Sequence, residues 1–444
     1  MKQEKMIPKR ILNQLLSALS AGVVPRTGAP YIAIGRNEEI SALLESMSRV
    51  SEGGAFVRFL IGRYGSGKSF LIQLLRGYAM ERGFLTADCD LSTDQRRLCG
   101  GNGAGLATYR ELLRNLASKA SPEGGALPLV LSRHYATILS RLAEEGVFPE
   151  SEAFLPALQK AVFSTFAALE NSVGGFDFAR VLSAYFMAIA EENEEKKSAC
   201  LKWLRGEYSN KTEAKAELGF RVSGIVDDEN WYDYVKLWAV FARHIGYTGL
   251  IVYIDECIIL YKIVNRVARE NNYEKILTIF NDTLQGRAEG LGVIFGGTPQ
   301  FLEDTRRGLF SYEALRSRLA DSRFADAGYA TLSSPVIRLR RLSDNELYAL
   351  LVRLSSLHAM QRGEEELLTE EELKEFLKFS LSRAGASELL TPREMIRDFM
   401  TLLNILSENE DATFEGLLRA QKEEPPANDE EDGGVSLSLS DFTL

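Results

Sequence analysis

Apolar positions along this chain fall into two rhythms, short unbroken runs and longer stretches spaced for one face of a helix. Helical spacing covers residues 9–22 and closes at Gly22, and a loop carrying Pro25 and Pro30 follows. A helix to about residue 50 comes next, and then the first unbroken run, residues 56–61. Further strand-length runs lie at 84–91, 250–254, 292–296 and 336–339. Five apolar residues in a row, as in Leu250–Ile254, are what a strand buried on both faces requires. Between these runs the spacing is helical at 70–80, from 108, through nearly all of 126–246, at 264–286 and at 342–407. Pro156 and Pro392 fall where a helix would start, because a first-turn proline gives up no hydrogen bond.

The most informative stretch sits between the run at 56–61 and the helix after it. Gly62-Arg63-Tyr64-Gly65-Ser66-Gly67-Lys68-Ser69 reads G-x-x-x-x-G-K-[ST] without departure, and Phe70 continues it into the helix. Strand, glycine loop and helix is the context in which this pattern cradles phosphate. Gly62, Gly65 and Gly67 let the backbone curl so that N–H groups converge, with Tyr64 and Ser66 between them, and the helix N-terminus adds partial positive charge. Lys68 is expected to reach the β- and γ-phosphates of a nucleotide, and Ser69 to ligate Mg²⁺.

Two later strand ends supply matching chemistry. Asp255 and Glu256 terminate the run at 250–254. Asp255 would hold Mg²⁺, directly or through water, and Glu256 would polarise the attacking water. The run at 292–296 ends in Gly297-Thr298, which sets the Thr298 hydroxyl to hydrogen-bond that water or the γ-phosphate. Upstream, Ile34, Gly35 and Arg36 open a G-R-x-x-E-I segment and are candidates to pack beside the adenine. The competing reading makes Asn37, Glu38 and Glu39 simply the start of a helix. The glycines at 100–105 read as a connector, since no apolar strand leads into them and no G-K-[ST] follows.

Composition narrows the class. The chain has 444 residues, 45% hydrophobic and 26% charged, an ordinary globular balance. No apolar run has membrane-spanning length and residues 1–8 lack the apolar stretch of a leader, so a cytoplasmic protein away from the membrane is expected. The net charge is −10, of which −8 falls within residues 408–432, so composition gives no support to avid nonspecific nucleic-acid binding. Lys202, Arg205, Lys211 and Lys215, with Trp203 and Tyr208 interleaved, form a nucleic-acid or partner surface on one reading and solvated helix faces over aromatic core on the other. The four cysteines are scattered and read as buried thiols, with neither zinc nor a disulfide framework, and His134, His244 and His358 stand in unrelated settings.

Taken together, the phosphate loop, the acid pair at 255–256, the polar strand end at 298, a distal arginine and a terminal helical region resemble an AAA+ ATPase. Gly35-Arg36, Ser317-Arg318 and Pro392-Arg393 are similar to the clade of replication initiators and helicase loaders. Closer still is the resemblance to the BrxD ATP-binding component of bacteriophage-exclusion (BREX) clusters, carried by residues 22–28, 62–70, 107–112 and 391–399. The resemblance implies an α/β fold: an AAA+ P-loop core of parallel sheet flanked by helices over 31–340. A large helical insertion at about 126–246 and a small helical lid at 341–407 complete it, with an N-terminal helix and loop at 1–30 and a disordered acidic tail at 408–444. ATP and Mg²⁺ are the implied cofactors. Thr298 becomes a first sensor and Arg393 a second. Arg318 becomes a finger presented to a neighbour's nucleotide in a homo-oligomer, with Arg316 the alternative. A helicase partner is implied, with DNA reached through the ATPase ring or the insertion, because the acidic stretch after the lid does not fit a winged helix. Three functions stay open on these grounds: a loader or remodelling ATPase, a nucleotide-switched scaffold with slow hydrolysis, and an autonomous DNA-stimulated motor.

Overall fold

The computed structural model describes residues 7–166, 173–321, 332–382 and 391–423. Of the tail expected over 408–444, the part beyond 423 lies outside the described residues. The strands are β1 (Phe56–Ile61), β2 (Leu85–Asp90), β3 (Leu250–Asp255), β4 (Leu291–Gly297) and β5 (Val336–Arg338). In chain order the helices open with α1 (Lys9–Ser20), α2 (Asn37–Ser51), α3 (Lys68–Glu81) and α4 (Ala104–Arg114). Then come α5 (Leu127–Glu144), α6 (Phe154–Phe166), α7 (Gly175–Ala190), α8 (Glu194–Leu204), α9 (Lys211–Leu218) and α10 (Trp231–His244). After β3 follow α11 (Ile258–Lys262), α12 (Arg266–Leu284), α13 (Pro299–Glu303), α14 (Glu313–Leu319), α15 (Asp344–Arg362), α16 (Glu370–Ser382), α17 (Pro392–Glu408) and α18 (Phe414–Glu423).

Two compact units result. The larger comprises residues 23–343 with 391–393, and the smaller gathers the rest. In the larger unit the five strands pair in the order β2-β3-β4-β1-β5, every pairing parallel. Both faces of the sheet are buried, which accounts for the unbroken apolar runs. Phe56, Leu60, Ile251, Tyr253 and Ile294 face α2 and α3. Val57, Phe59, Val252, Ile254, Val293 and Phe295 face the opposite layer. Because side chains alternate along a strand, Asp88, Asp90 and Asp255 fall on the α3 side. Asp88 pairs there with Arg76 of α3 at 3.0 Å.

The helices between β2 and β3 share the sheet's second core rather than forming one of their own. Its centre is aromatic. The Tyr109 hydroxyl donates to the Leu204 carbonyl at 2.6 Å and accepts the Trp238 indole N–H at 2.9 Å, tying α4, α8 and α10 together. Trp203 and Tyr208 are inside this core, and Lys202 is held by Glu213 and Glu217, each at 2.8 Å. The glycine connector is also spoken for, since Asp228 accepts the backbone N–H groups of Gly103 (3.0 Å) and Leu106 (2.9 Å). All four cysteines are free thiols.

In the smaller unit α1 buries Leu12, Leu15, Leu16 and Leu19 and packs on α15, where the Gln361 amide donates to Asn13 at 3.0 Å. Phe376 of α16 meets Phe399 of α17 with ring centroids 5.1 Å apart. Within the acidic stretch that begins at 408, α18 is a helix with Phe414 and Leu418 buried. No described helix is long and apolar enough to cross a membrane.

Candidate nucleotide site

The C-terminal ends of β1, β3 and β4 lie side by side, and the loops leaving them build the site. In an open parallel sheet this edge is where ligands bind, because the strand order reverses there and the loops diverge. Here β1 lies between β4 and β5, with Ile61 in register with Gly297 and with Arg338. The phosphate loop leaves β1 and enters α3 through Gly67, whose φ of +89° only glycine adopts without strain, as does Gly65 at +72°. The Gly62 N–H donates to the Gly297 carbonyl at 3.1 Å, joining the loop to the end of β4.

Lys68 reaches back over its own loop and donates to the carbonyls of Gly62 (2.9 Å) and Arg63 (3.1 Å). Burial lowers its pKa, and Arg393 adds to that, while Asp255 and Glu256 push the other way. Ser69, one residue on, donates its hydroxyl to Asp255 Oδ2 at 2.8 Å. Asp255 Oδ1 accepts the Glu256 N–H at 2.8 Å, so both carboxylate oxygens are engaged. Glu256 has φ of +57°, one of two described non-glycine residues with positive φ. Such a conformation costs on the order of 1–2 kcal/mol and turns the acid out of the strand into the open.

Gly296 makes the packing of Asp255 feasible, since a Cβ there would sit 2.2 Å from Asp255 Oδ1. Thr298 accepts the Phe301 N–H at 3.3 Å and so caps α13 at the tip of β4. Arg393 lies over the Tyr64 ring, 5.7 Å from its centroid, with Nη1 3.4 Å from the phenol oxygen. Thr391 presses on the loop itself, leaving less than 3 Å for any Cβ at Gly65. Phe70 packs against the α3 side of the sheet. Ile34 donates its N–H to the Ile32 carbonyl, and Gly35 has φ of +73°. Arg36 is buried, donating to Ser66 O at 3.0 Å. Arg318 donates to the Ala314 carbonyl of its own helix at 2.7 Å, and Arg316 stands in the same turn of α14.

Two features went unread in the sequence. Asp90 ends β2 in register with Asp255 and on the same face. Desolvation, then Asp255, Asp88 and Glu256, push its carboxyl up to about 6. An acid at the end of an apolar run was the available signal. Thr391 had none, since its contact with Gly65 spans most of the chain.

The donors gathered at this edge are a hydroxyl and carboxylates, the oxygen ligands a small hard cation takes beside phosphate, so the residues fit Mg²⁺. Among the described residues no group of three or more His, Cys, Asp or Glu is placed to hold a metal ion, so a cation here would rest on Ser69 and Asp255 together with the phosphates. A glycine loop between strand and helix, linked through Ser69 to an acid at the end of β3, two strands away in the sheet, defines a P-loop nucleotide-binding protein. The chain belongs to the BREX system ATP-binding protein BrxC/D family, whose profile matches residues 7–422. That match covers the sheet, the helices between β2 and β3, and the C-terminal helices alike. No curated protein matches the chain.

Proposed function

We propose that this protein is an Mg²⁺-dependent ATPase of the AAA+ class that hydrolyses ATP to drive assembly or remodelling of a partner complex on DNA, in anti-phage defence. The observation that carries the reading is the 2.8 Å bond from Ser69 to Asp255, with Glu256 the next residue and Lys68 held over the same loop. A strand order of β2-β3-β4-β1-β5 supports the class, because it sets β4 and its Thr298 between the phosphate loop and the acid pair. Residues 126–246 then act as an insertion and residues 341–407 as a lid.

Loop amides and Lys68 bind the β- and γ-phosphates. Ser69 and Asp255 would hold Mg²⁺, which supplies charge neutralisation on those phosphates. Glu256 takes a proton from water as the water oxygen attacks the γ-phosphorus. The bond from that phosphorus to the bridging oxygen breaks and ADP leaves. Thr298 orients the water, and Arg393 draws the γ-phosphate charge toward Tyr64. Arg318 serves the nucleotide of a neighbouring subunit in a homo-oligomer, with Arg316 as its alternate. A helicase is the fitting partner, with DNA contacted by the ring or the insertion.

Glu256→Gln tests the reading. It should keep ATP binding and lower turnover by about 10²-fold or more, as loss of a general base does. Undiminished turnover would remove Glu256 from the chemistry. A nucleotide-switched scaffold is favoured by one observation, the rest of Thr391 and Arg393 on the phosphate loop, which couples loop occupancy to the start of α17. A scaffold keeps its defence function in the Glu256→Gln variant, whereas a loader loses it. Stimulation of turnover by DNA alone would instead mark an autonomous motor.

A further inference from the structure

Arg36 holds a place that neither its sequence neighbourhood nor a role beside the base explains. Its side chain is only 5% exposed. One terminal nitrogen donates to the Ser66 carbonyl at 3.0 Å. The other donates to the Arg340 carbonyl at 2.8 Å and to Glu39 Oε1 at 3.2 Å. The guanidinium therefore joins the phosphate loop to the chain leaving β5, with a buried acid balancing its charge.

Ser66 lies between Gly65 and Gly67, both with positive φ. The peptide from Ser66 to Gly67 turns through ψ of Ser66 and φ of Gly67, and Gly67 has no Cβ to restrict that turn. The Ser66 carbonyl and the Gly67 N–H belong to one planar trans peptide and point in opposite directions. A flip would turn an oxygen toward the phosphates and take an N–H away. A guanidinium donates and never accepts, so it holds this peptide in one orientation only.

We infer that Arg36 is a positioning residue for the triphosphate: its contact with the Ser66 carbonyl keeps the Gly67 N–H turned into the phosphate cradle, and it acts on the phosphates rather than on the base. The inference rests on the reading of residues 62–69 as a nucleotide site, and it deepens that reading by naming what orients the loop. It requires no hydrolysis, so binding alone tests it.

The experiment measures direct binding of ATP, GTP and inorganic tripolyphosphate to the full chain and to Arg36→Lys. Lysine keeps the charge beside Glu39 but cannot span both carbonyls. Affinity for all three ligands should fall together by about tenfold or more, the usual consequence of losing a charged hydrogen bond, with the ATP-to-GTP ratio unchanged. Loss confined to the nucleotides, with tripolyphosphate binding intact and the ratio altered, overturns the inference in favour of a base contact. Unchanged binding of all three overturns it as well. Thermal melting without ligand accompanies each measurement. Should Arg36→Lys melt early, the pair Arg36→Gln with Glu39→Gln, which leaves no buried charge behind, carries the same comparison. Lys68→Ala separates the two levels. If the unaltered chain binds tripolyphosphate no better than Lys68→Ala, the nucleotide site itself is wrong. If it binds better and the Arg36 variants match it, only the positioning role fails.

Discussion

Asp255 is the residue on which the site converges. It is 6% exposed, and its two oxygens accept from the Ser69 hydroxyl and the Glu256 amide. Ser69→Ala removes one donor and one prospective metal ligand while leaving the loop backbone alone. ATP affinity measured with Mg²⁺ should drop about tenfold, and affinity measured in EDTA should hold, because only the metal-dependent part has been touched. An equal drop in both would mean that Ser69 shapes the loop instead. The identities of Lys68, Ser69, Asp255 and Glu256 were legible because each sits inside a contiguous motif. The left-handed backbone at Glu256 was not, since it belongs to the turn leaving β3, where the next residue, Cys257, donates its N–H to the Gly296 carbonyl at 3.0 Å.

At the scale of elements, the end of β4 sets the room available to the end of β3. Gly296 leaves space for the Asp255 carboxylate, and Gly297 leaves space for Phe301. Gly296→Ala would place a methyl 2.2 Å from Asp255 Oδ1, so the acid has to move. Turnover should fall at least about tenfold with ATP binding largely kept, since the phosphate loop is not displaced. A steady-state assay beside equilibrium binding reads both. Wild-type turnover would show that Asp255 tolerates displacement. The two glycines were visible in the sequence as part of an apolar run, but what they make room for lies on another strand. Arg36 shows the same limit. Its contacts run to Ser66 and Arg340, partners 30 and 304 residues away, which no local pattern announces. Likewise α1 read as a separate N-terminal element, and it packs on α15 because its leucine face needs a partner that sequence order does not supply.

For the molecule as a whole, one core joins the sheet to the helices of residues 127–244, and His134 lies within it. Its ring meets Phe186 and Phe241 edge-on, at 5.6 and 5.9 Å. Burial, with Arg141 adding to it, lowers its pKa from 6.5 to about 4. The unfolded chain therefore takes up this proton first as pH falls. Stability from this group is complete above about 6.5 and is lost as pH drops toward about 4. Melting temperature should decline across that window, and His134→Phe should flatten the decline. A variant with the same slope as the parent would place the acid sensitivity elsewhere.

Alone, the sequence determined the phosphate loop, the acid pair after β3, the family and the alternation of strands with helices. These are carried by adjacent residues, where local backbone chemistry and apolar spacing act over a few positions. Only the tertiary structure decided the strand order, the register that sets Asp90 beside Asp255, the hold of Arg36 on the loop, and the seat of Thr391 against Gly65. Those pairings join residues far apart in the chain. Which of them form depends on how all the apolar faces are buried at once, and no single stretch encodes that.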